Sequence, residues 1–162
     1  MDADKEILNK KIDRDQLFNK ILKFCAYQER SENDVIEKLK TFKLNASETG
    51  KILKRLKEEK FIDNQRFARI YTTGKLRHNK WGRIRIRYEL KRKCINNDDI
   101  EQALDSIDED EYSQTLIELI KKKKGSIRDR NPFILRNKIA QYLSSKGFEN
   151  DLVWHMIKII IP

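Results

Sequence analysis

Val35-Ile36-Glu37-Lys38-Leu39-Lys40-Thr41-Phe42-Lys43-Leu44, Ile86-Arg87-Tyr88-Glu89-Leu90-Lys91-Arg92-Lys93-Cys94-Ile95 and Ile139-Ala140-Gln141-Tyr142-Leu143-Ser144-Ser145-Lys146-Gly147-Phe148 are one apolar pattern written three times. In each stretch an aliphatic residue (Val35, Ile86, Ile139) stands four positions before a leucine (Leu39, Leu90, Leu143), and the leucine stands five before a second apolar anchor (Leu44, Ile95, Phe148). From that second anchor, apolar residues recur at +8, +9 and +12: Ile52, Leu53 and Leu56, then Ala103, Leu104 and Ile107, then Met156, Ile157 and Ile160. This spacing keeps the side chains on one face of an α-helix and does not fit the alternation of a strand. Each unit therefore reads as a helix ending near its leucine, a tight turn and a second helix. In the third unit the turn carries Gly147, suited to a left-handed residue after a helix. Lys43 and Cys94 take the equivalent places, which predicts either another geometry or local strain in those two turns.

Upstream of each pair lies a leading helix, marked by Leu17, Ile21, Leu22 and Phe24, by Phe67, Ile70 and Tyr71, and by Leu116, Leu119 and Ile120. Cap signals fall at the same boundaries. Ser31 with Asp34 forms a capping-box pattern, Asp63 precedes the helix of Phe67, and Asn131 precedes Pro132 at a first helical position. The expected fold is all-α, with three tandem three-helix repeats at residues 14–62, 63–108 and 109–162. A unit of about 50 residues buries little alone, so the repeats are expected to pack in series as an elongated, curved rod.

Composition agrees. The 162 residues include only five Gly and two Pro, and 38% are hydrophobic against 38% charged, which favours helices with much surface over one spherical core. The stretch Met1-Asp2-Ala3-Asp4-Lys5-Glu6 does not read as a leader, and no run reaches the about 18 to 20 apolar residues of a membrane span, so a cytoplasmic protein without membrane contact is expected. Cys25 and Cys94 have no Cys or His neighbours at metal-ligand spacing and read as buried or half-buried thiols; His78 and His155 are equally isolated. No nucleophile, base and orienting acid can be assembled from spacing, and an enzyme is not expected.

The net charge of +10 is localised. Between Asn64 and Ile95 stand eleven basic residues and one acid, Glu89, while the other 25 basic and 25 acidic residues of the chain cancel. Such a field points to a polyanionic partner, whether nucleic acid, an acidic protein groove or anionic lipid, against the plainer reading of a solvated helical surface. On a helix starting near Gly82, Arg83, Arg87 and Lys91 form one stripe and Arg85 and Arg92 another, flanking the core positions Ile86 and Leu90. They are expected to face outward, so that reversing Arg83, Arg87 and Lys91 leaves melting nearly unchanged. Like charges at this spacing repel, and some partner must offset that. Lys75, Arg77, Lys80 and Trp81 lie just upstream, and Trp81, Tyr71 and Tyr88 are candidates either for base stacking or for core. A second basic cluster, Lys121, Lys122, Lys123, Lys124, Arg128 and Arg130, follows the leading helix of the third repeat and reads first as charge at a helix C-terminus, then as a secondary contact. A helix-turn-helix reading stays open, but the final helices, such as Asp98 to Ile107, are acidic, which disfavours sequence-specific duplex readout.

Three motifs carry a resemblance. Arg30-Ser31-Glu32 with Val35 and Leu39, Phe61-Ile62-Asp63-Asn64-Gln65-Arg66-Phe67-Ala68, and Gly82-Arg83-Ile84-Arg85-Ile86-Arg87-Tyr88-Glu89-Leu90-Lys91-Arg92-Lys93-Cys94-Ile95 are similar to the R-x-S-E…L…L, G-Y-L-D-D-x-R-F-A and G-P-x-R-I-x-x-E-L-x-x-K-G-I patterns of the RecX family. The likeness covers roughly Leu17 to Ile107; the third unit rests on the repeat spacing. Lys60 and Cys94 replace a family Gly, Asn64 an Asp and Arg83 a Pro, departures that bear on local turns. The resemblance implies a non-enzymatic regulator without cofactor, acting as a monomer. Its implied partners are the RecA recombinase filament and the single-stranded DNA within it. Lodged in the filament's helical groove, it would restrain strand exchange, coprotease access and extension. Electrostatic docking would fall to Arg83, Arg85, Arg87, Lys91 and Arg92, supported by Lys75, Arg77, Lys80 and Trp81. The rival reading is a helical module that binds nucleic acid without RecA.

Overall fold

The structure, a computed structural model, describes residues 2–162. Among them it holds nine helices and no strand: α1 Asp2–Tyr27, α2 Glu32–Lys40, α3 Ala46–Glu58, α4 Asn64–Asn79, α5 Arg83–Arg92, α6 Asn97–Asp105, α7 Glu109–Ser126, α8 Pro132–Ser145 and α9 Asn150–Ile160. They form three three-helix repeats. The chain also divides into two compact units, the first ending at Phe67 and the second running Ala68–Pro162, with the division inside α4.

The repeat anchors are core. Val35, Ile86 and Ile139 are wholly buried, as are Leu39, Leu90 and Leu143 to within 1%. In the first unit Phe18, Ile21 and Cys25 of α1 close over Val35, Leu39, Leu56 and Ile62. In the second unit α5 packs on α6, and α7, α8 and α9 pack on one another. Besides Ile86 and Leu90, the second unit buries Ile100, Leu104, Tyr112, Leu116, Ile139, Leu143 and Ile157. α1 starts at Asp2, ahead of the expected boundary at residue 14.

Caps fix the helix starts. The Ser31 hydroxyl accepts from the Asp34 N–H at 3.1 Å while the Asp34 carboxylate accepts from the Ser31 N–H at 3.0 Å. Asn45 and Glu48 repeat this box at α3. Asp63 accepts from the Arg66 N–H at 2.9 Å, and Asn131 caps α8 ahead of Pro132. Arg66 finds its ion pair in Glu29, at 2.9 Å.

The turns after α2, α5 and α8 share one conformation. Lys43, Cys94 and Gly147 hold φ of 54°, 58° and 87°. After α5 the Ile95 N–H donates to Leu90 O and the Cys94 N–H to Lys91 O; after α8 Phe148 and Gly147 donate to Leu143 O and Ser144 O. Both are Schellman closures, which satisfy carbonyls at a helix end. Of the two options the sequence left open for Lys43 and Cys94, the chain therefore takes strain within an unchanged geometry. Lys60 does the same at φ 60°. One thiol departs from expectation: Cys25 is buried, with its pKa pushed up chiefly by burial, but Cys94 is exposed because its turn faces solvent.

Candidate nucleic-acid interface

The basic third of the sequence occupies α4, the turn at Gly82 and α5. The first-turn donors of α5 are held by the far end of the second unit. The Gly82 N–H donates to Lys146 O at 2.8 Å, the Ile84 N–H to Gly147 O at 3.0 Å and the Arg83 N–H to the Tyr112 hydroxyl at 3.0 Å. Gly82 is required for this approach, since a Cβ there would lie 2.3 Å from Gly147 O. The residue admits close contact, as its type suggested, but the contacting backbone belongs to the same chain.

Arg83 and Arg87 correct the expectation of a free outward stripe. The Arg83 side chain is only 18% exposed and pairs with Glu109 at 2.5 Å and Glu149 at 3.4 Å. Its guanidinium also stacks 4.1 Å from the Tyr112 ring centroid. Buried Tyr112 donates its hydroxyl to Glu149 at 2.5 Å, and its pKa is driven far up, first by burial and then by that bond. Arg87 makes two bonds to Glu101, at 2.8 and 3.0 Å, which hold the Glu101 carboxyl below the usual carboxylate range. Lys91 adds a weaker attraction to the same carboxylate. The partner that offsets repulsion along α5 thus comes from Glu101 of α6, Glu109 at the start of α7 and Glu149 at the N-cap of α9, which spacing along one helix could not reveal. Arg77 is likewise committed, by two bonds to Glu111 at 2.6 and 3.1 Å. Arg92 reaches Glu89 at 3.5 Å.

The remaining cations form a different population. Trp81 lies between Lys75, whose Nζ is 4.8 Å from the indole centroid, and Arg85, whose guanidinium is 4.2 Å from it. Lys75 also lies 5.2 Å from the Tyr71 ring. Arg85 donates to Ser145 O at 3.3 Å, and beside it Lys146 Nζ donates to Asn79 O at 3.2 Å. Lys146 and Lys123 then flank the Tyr142 ring at 5.9 and 4.7 Å. Among the described residues no carboxylate lies within ion-pair distance of Lys75, Arg85, Lys123 or Lys146. The α4–α5 turn and the ends of α7 and α8 thereby present one basic surface interleaved with aromatic rings.

Sequence reasoning named Lys75, Trp81 and Arg85 on this surface and Lys123 in the second basic cluster, and the fold brings the two together. It missed Tyr142 and Lys146, whose role depends on contacts across more than half the second unit. Lys80 is half-buried and attracted to Glu111. Lys121, Lys122, Lys124, Arg128 and Arg130 are exposed and lie beyond these contacts. Tyr88, 60% exposed, carries Arg92 6.0 Å from its ring on another face of α5.

Comparison with known proteins agrees with this architecture. Residues 63–104 match the family model described as RecX, second three-helix domain, and residues 109–157 that of RecX, third three-helix domain. The chain is 28% identical to the regulatory protein RecX of Oceanobacillus iheyensis, over 94% of this chain and 56% of that protein. It is 29% identical to that of Clostridium tetani, over 86% and 63% respectively. The chain thus spans less than two thirds of the length of these relatives, which are named as regulatory proteins. The crystal structure of RecX from Lactobacillus salivarius superposes with a TM-score of 0.84 at 23% identity, covering 93% of this chain and 97% of that one, a likeness of fold. A crystal structure of regulatory protein RecX gives 0.83 at 25% identity, covering 98% and 78%. Among the described residues no helix is long and apolar enough to cross a membrane.

Proposed function

The chain belongs to the RecX family, and from that premise we propose that it regulates the RecA recombinase, binding the filament that RecA forms on single-stranded DNA. In this reading it lodges in the helical groove as a cytoplasmic monomer and lowers recombinase, ATPase and coprotease activity without catalysing a reaction or using a cofactor. The repeats at 14–62, 63–108 and 109–162 are the units that meet successive parts of the groove.

The observation that supports the reading is the separation of cations in the second unit. Arg77, Arg83 and Arg87 are neutralised by carboxylates, whereas Lys75, Arg85, Lys123 and Lys146 stand beside Trp81 and Tyr142 without one. Unneutralised cations with aromatic rings between them suit a phosphate backbone with accessible bases. Lys75, Trp81, Arg85, Lys123, Tyr142 and Lys146 thus take the leading part, with Lys80, Lys91 and Arg92 in support and Arg77, Arg83 and Arg87 shaping the surface. Lys121, Lys122, Lys124, Arg128 and Arg130 extend it.

The test is RecA-catalysed ATP hydrolysis and strand exchange on single-stranded DNA, titrated with this protein; both rates should fall as it is added. The same basic surface favours a second reading, a nucleic-acid-binding module independent of RecA. Unchanged RecA rates at protein concentrations that saturate an oligonucleotide would select that alternative.

A further inference from the structure

The first unit holds a second basic, aromatic concavity, for which composition gives no warning because its charges nearly cancel. Among the described residues six of its cations are used internally: Arg14 by Glu48, Lys40 by Glu37, Lys54 by Glu58, Arg55 by Glu59, Lys57 by Glu32 and Arg66 by Glu29. That pairing leaves a remainder. Lys20 and Lys23 of α1 and Lys38 of α2 line a concavity of about 390 Å³ together with Phe24, Tyr27 and Phe42. Arg30 closes one side, its guanidinium 4.0 Å from the Phe24 ring and bonded to Phe24 O at 3.3 Å. Among the described residues no acid lines the concavity, and no carboxylate lies within ion-pair distance of Lys20, Lys23 or Lys38.

Tyr27 is the telling residue. It is 83% exposed, at the last turn of α1, where a ring of that size is not held by the core. Lys20, Lys23 and Tyr27 lie three and four positions apart on one face of α1, so cations and open ring face the same solvent. We infer that this concavity is a single-stranded nucleic-acid site in its own right, with the three lysines on successive phosphates and Tyr27 stacked on a base. A base in a duplex is already stacked on its neighbours, whereas every base of an unpaired strand has a π face to offer, so the open ring favours an unpaired strand. The site is separate from the basic surface of the second unit and does not depend on RecA.

The experiment uses the full chain and a fluorescein-labelled deoxythymidine oligonucleotide, without RecA, over a series of salt concentrations. The combined variant Lys20→Gln, Lys23→Gln, Lys38→Gln should flatten the dependence of log affinity on log salt by about 2, at roughly 0.7 per phosphate. Tyr27→Ala should weaken binding about fivefold or more at an unchanged slope, and Tyr27→Phe should restore it. Circular dichroism of each variant should match the parent, since all four side chains are exposed. An oligonucleotide carrying iodouracil should crosslink to Tyr27. The inference is overturned if the lysine variant keeps the parental slope, if crosslinks are confined to Trp81 and Tyr142, or if polyglutamate displaces the strand equally well at equal charge. Because RecA is absent, these outcomes bear on the first unit and leave the filament reading to its own assay.

Discussion

Lys43, Lys60, Lys80 and Cys94 hold a left-handed backbone that costs a residue with a side chain about 1 to 2 kcal/mol. Cys94→Gly should therefore stabilise the protein by about 1 kcal/mol in denaturant melts, and a loss would mean that the exposed Cys94 side chain contributes more than its backbone costs. Gly82→Ala should do the reverse, since the new Cβ meets the Gly147 carbonyl and not a yielding side chain; about 1 to 3 kcal/mol or more is expected by the same measurement. Thr72 is wholly buried in α4, and among the described residues its hydroxyl has no hydrogen-bond partner. Thr72→Val, nearly the same shape, should gain about 1 kcal/mol. The caps at Ser31, Asp63 and Asn131 were legible because a cap is a short local pattern. The cost at Cys94 was only half legible: the repeat register pointed to the turn, and the backbone alone decided that geometry is kept and strain accepted.

At the level of elements, Leu90 faces the interior between α5 and α6, and Leu90→Ala should cost about 2 to 5 kcal/mol, the range for a buried leucine cut to alanine. The start of α5 depends on a polar group no periodicity marks. Tyr112 joins α7 to the Arg83 N–H and to Glu149, so Tyr112→Phe leaves a donor and a carboxylate short of a partner and should cost about 1 to 3 kcal/mol. Its raised pKa adds a pH signature. An unfolded tyrosine ionises near 10 while Tyr112 stays protonated, so this contribution is complete below that pH and is lost as pH rises beyond it. Thermal melts on the alkaline side should fall more steeply for the parent than for Tyr112→Phe. Helix faces were legible in the sequence through their apolar period. Which acid meets which arginine was not, because Glu101, Glu109 and Glu149 reach α5 from three other helices, and pairing between elements leaves no trace in the spacing of one.

Charge over the molecule as a whole is sorted by pairing, not by abundance. Reversing Arg83, Arg87 and Lys91 to Glu should lower the melting temperature as well as binding, because Arg83 and Arg87 hold α5 to its neighbours. Changing Lys75, Arg85 and Lys146 to Gln should instead cut single-strand affinity and flatten its salt dependence by about 2, with a smaller loss of melting temperature, since these cations hold carbonyl oxygens and rings but no carboxylate. Calorimetry with salt-dependent binding separates the two sets, and equal behaviour would deny that the populations differ. The sequence located the field in the middle third but could not say which charges remain after folding. Finally, the seam at Gly82 sets an order of events during synthesis. The amides that begin α5 find their acceptors at Lys146 and Gly147, which the ribosome makes roughly 3 to 13 s later at about 5 to 20 residues per second. Through that interval the nascent middle repeat carries an open helix end and an Arg83 without Glu149, and a stalled or truncated chain would remain in that state as a substrate for chaperones and proteases.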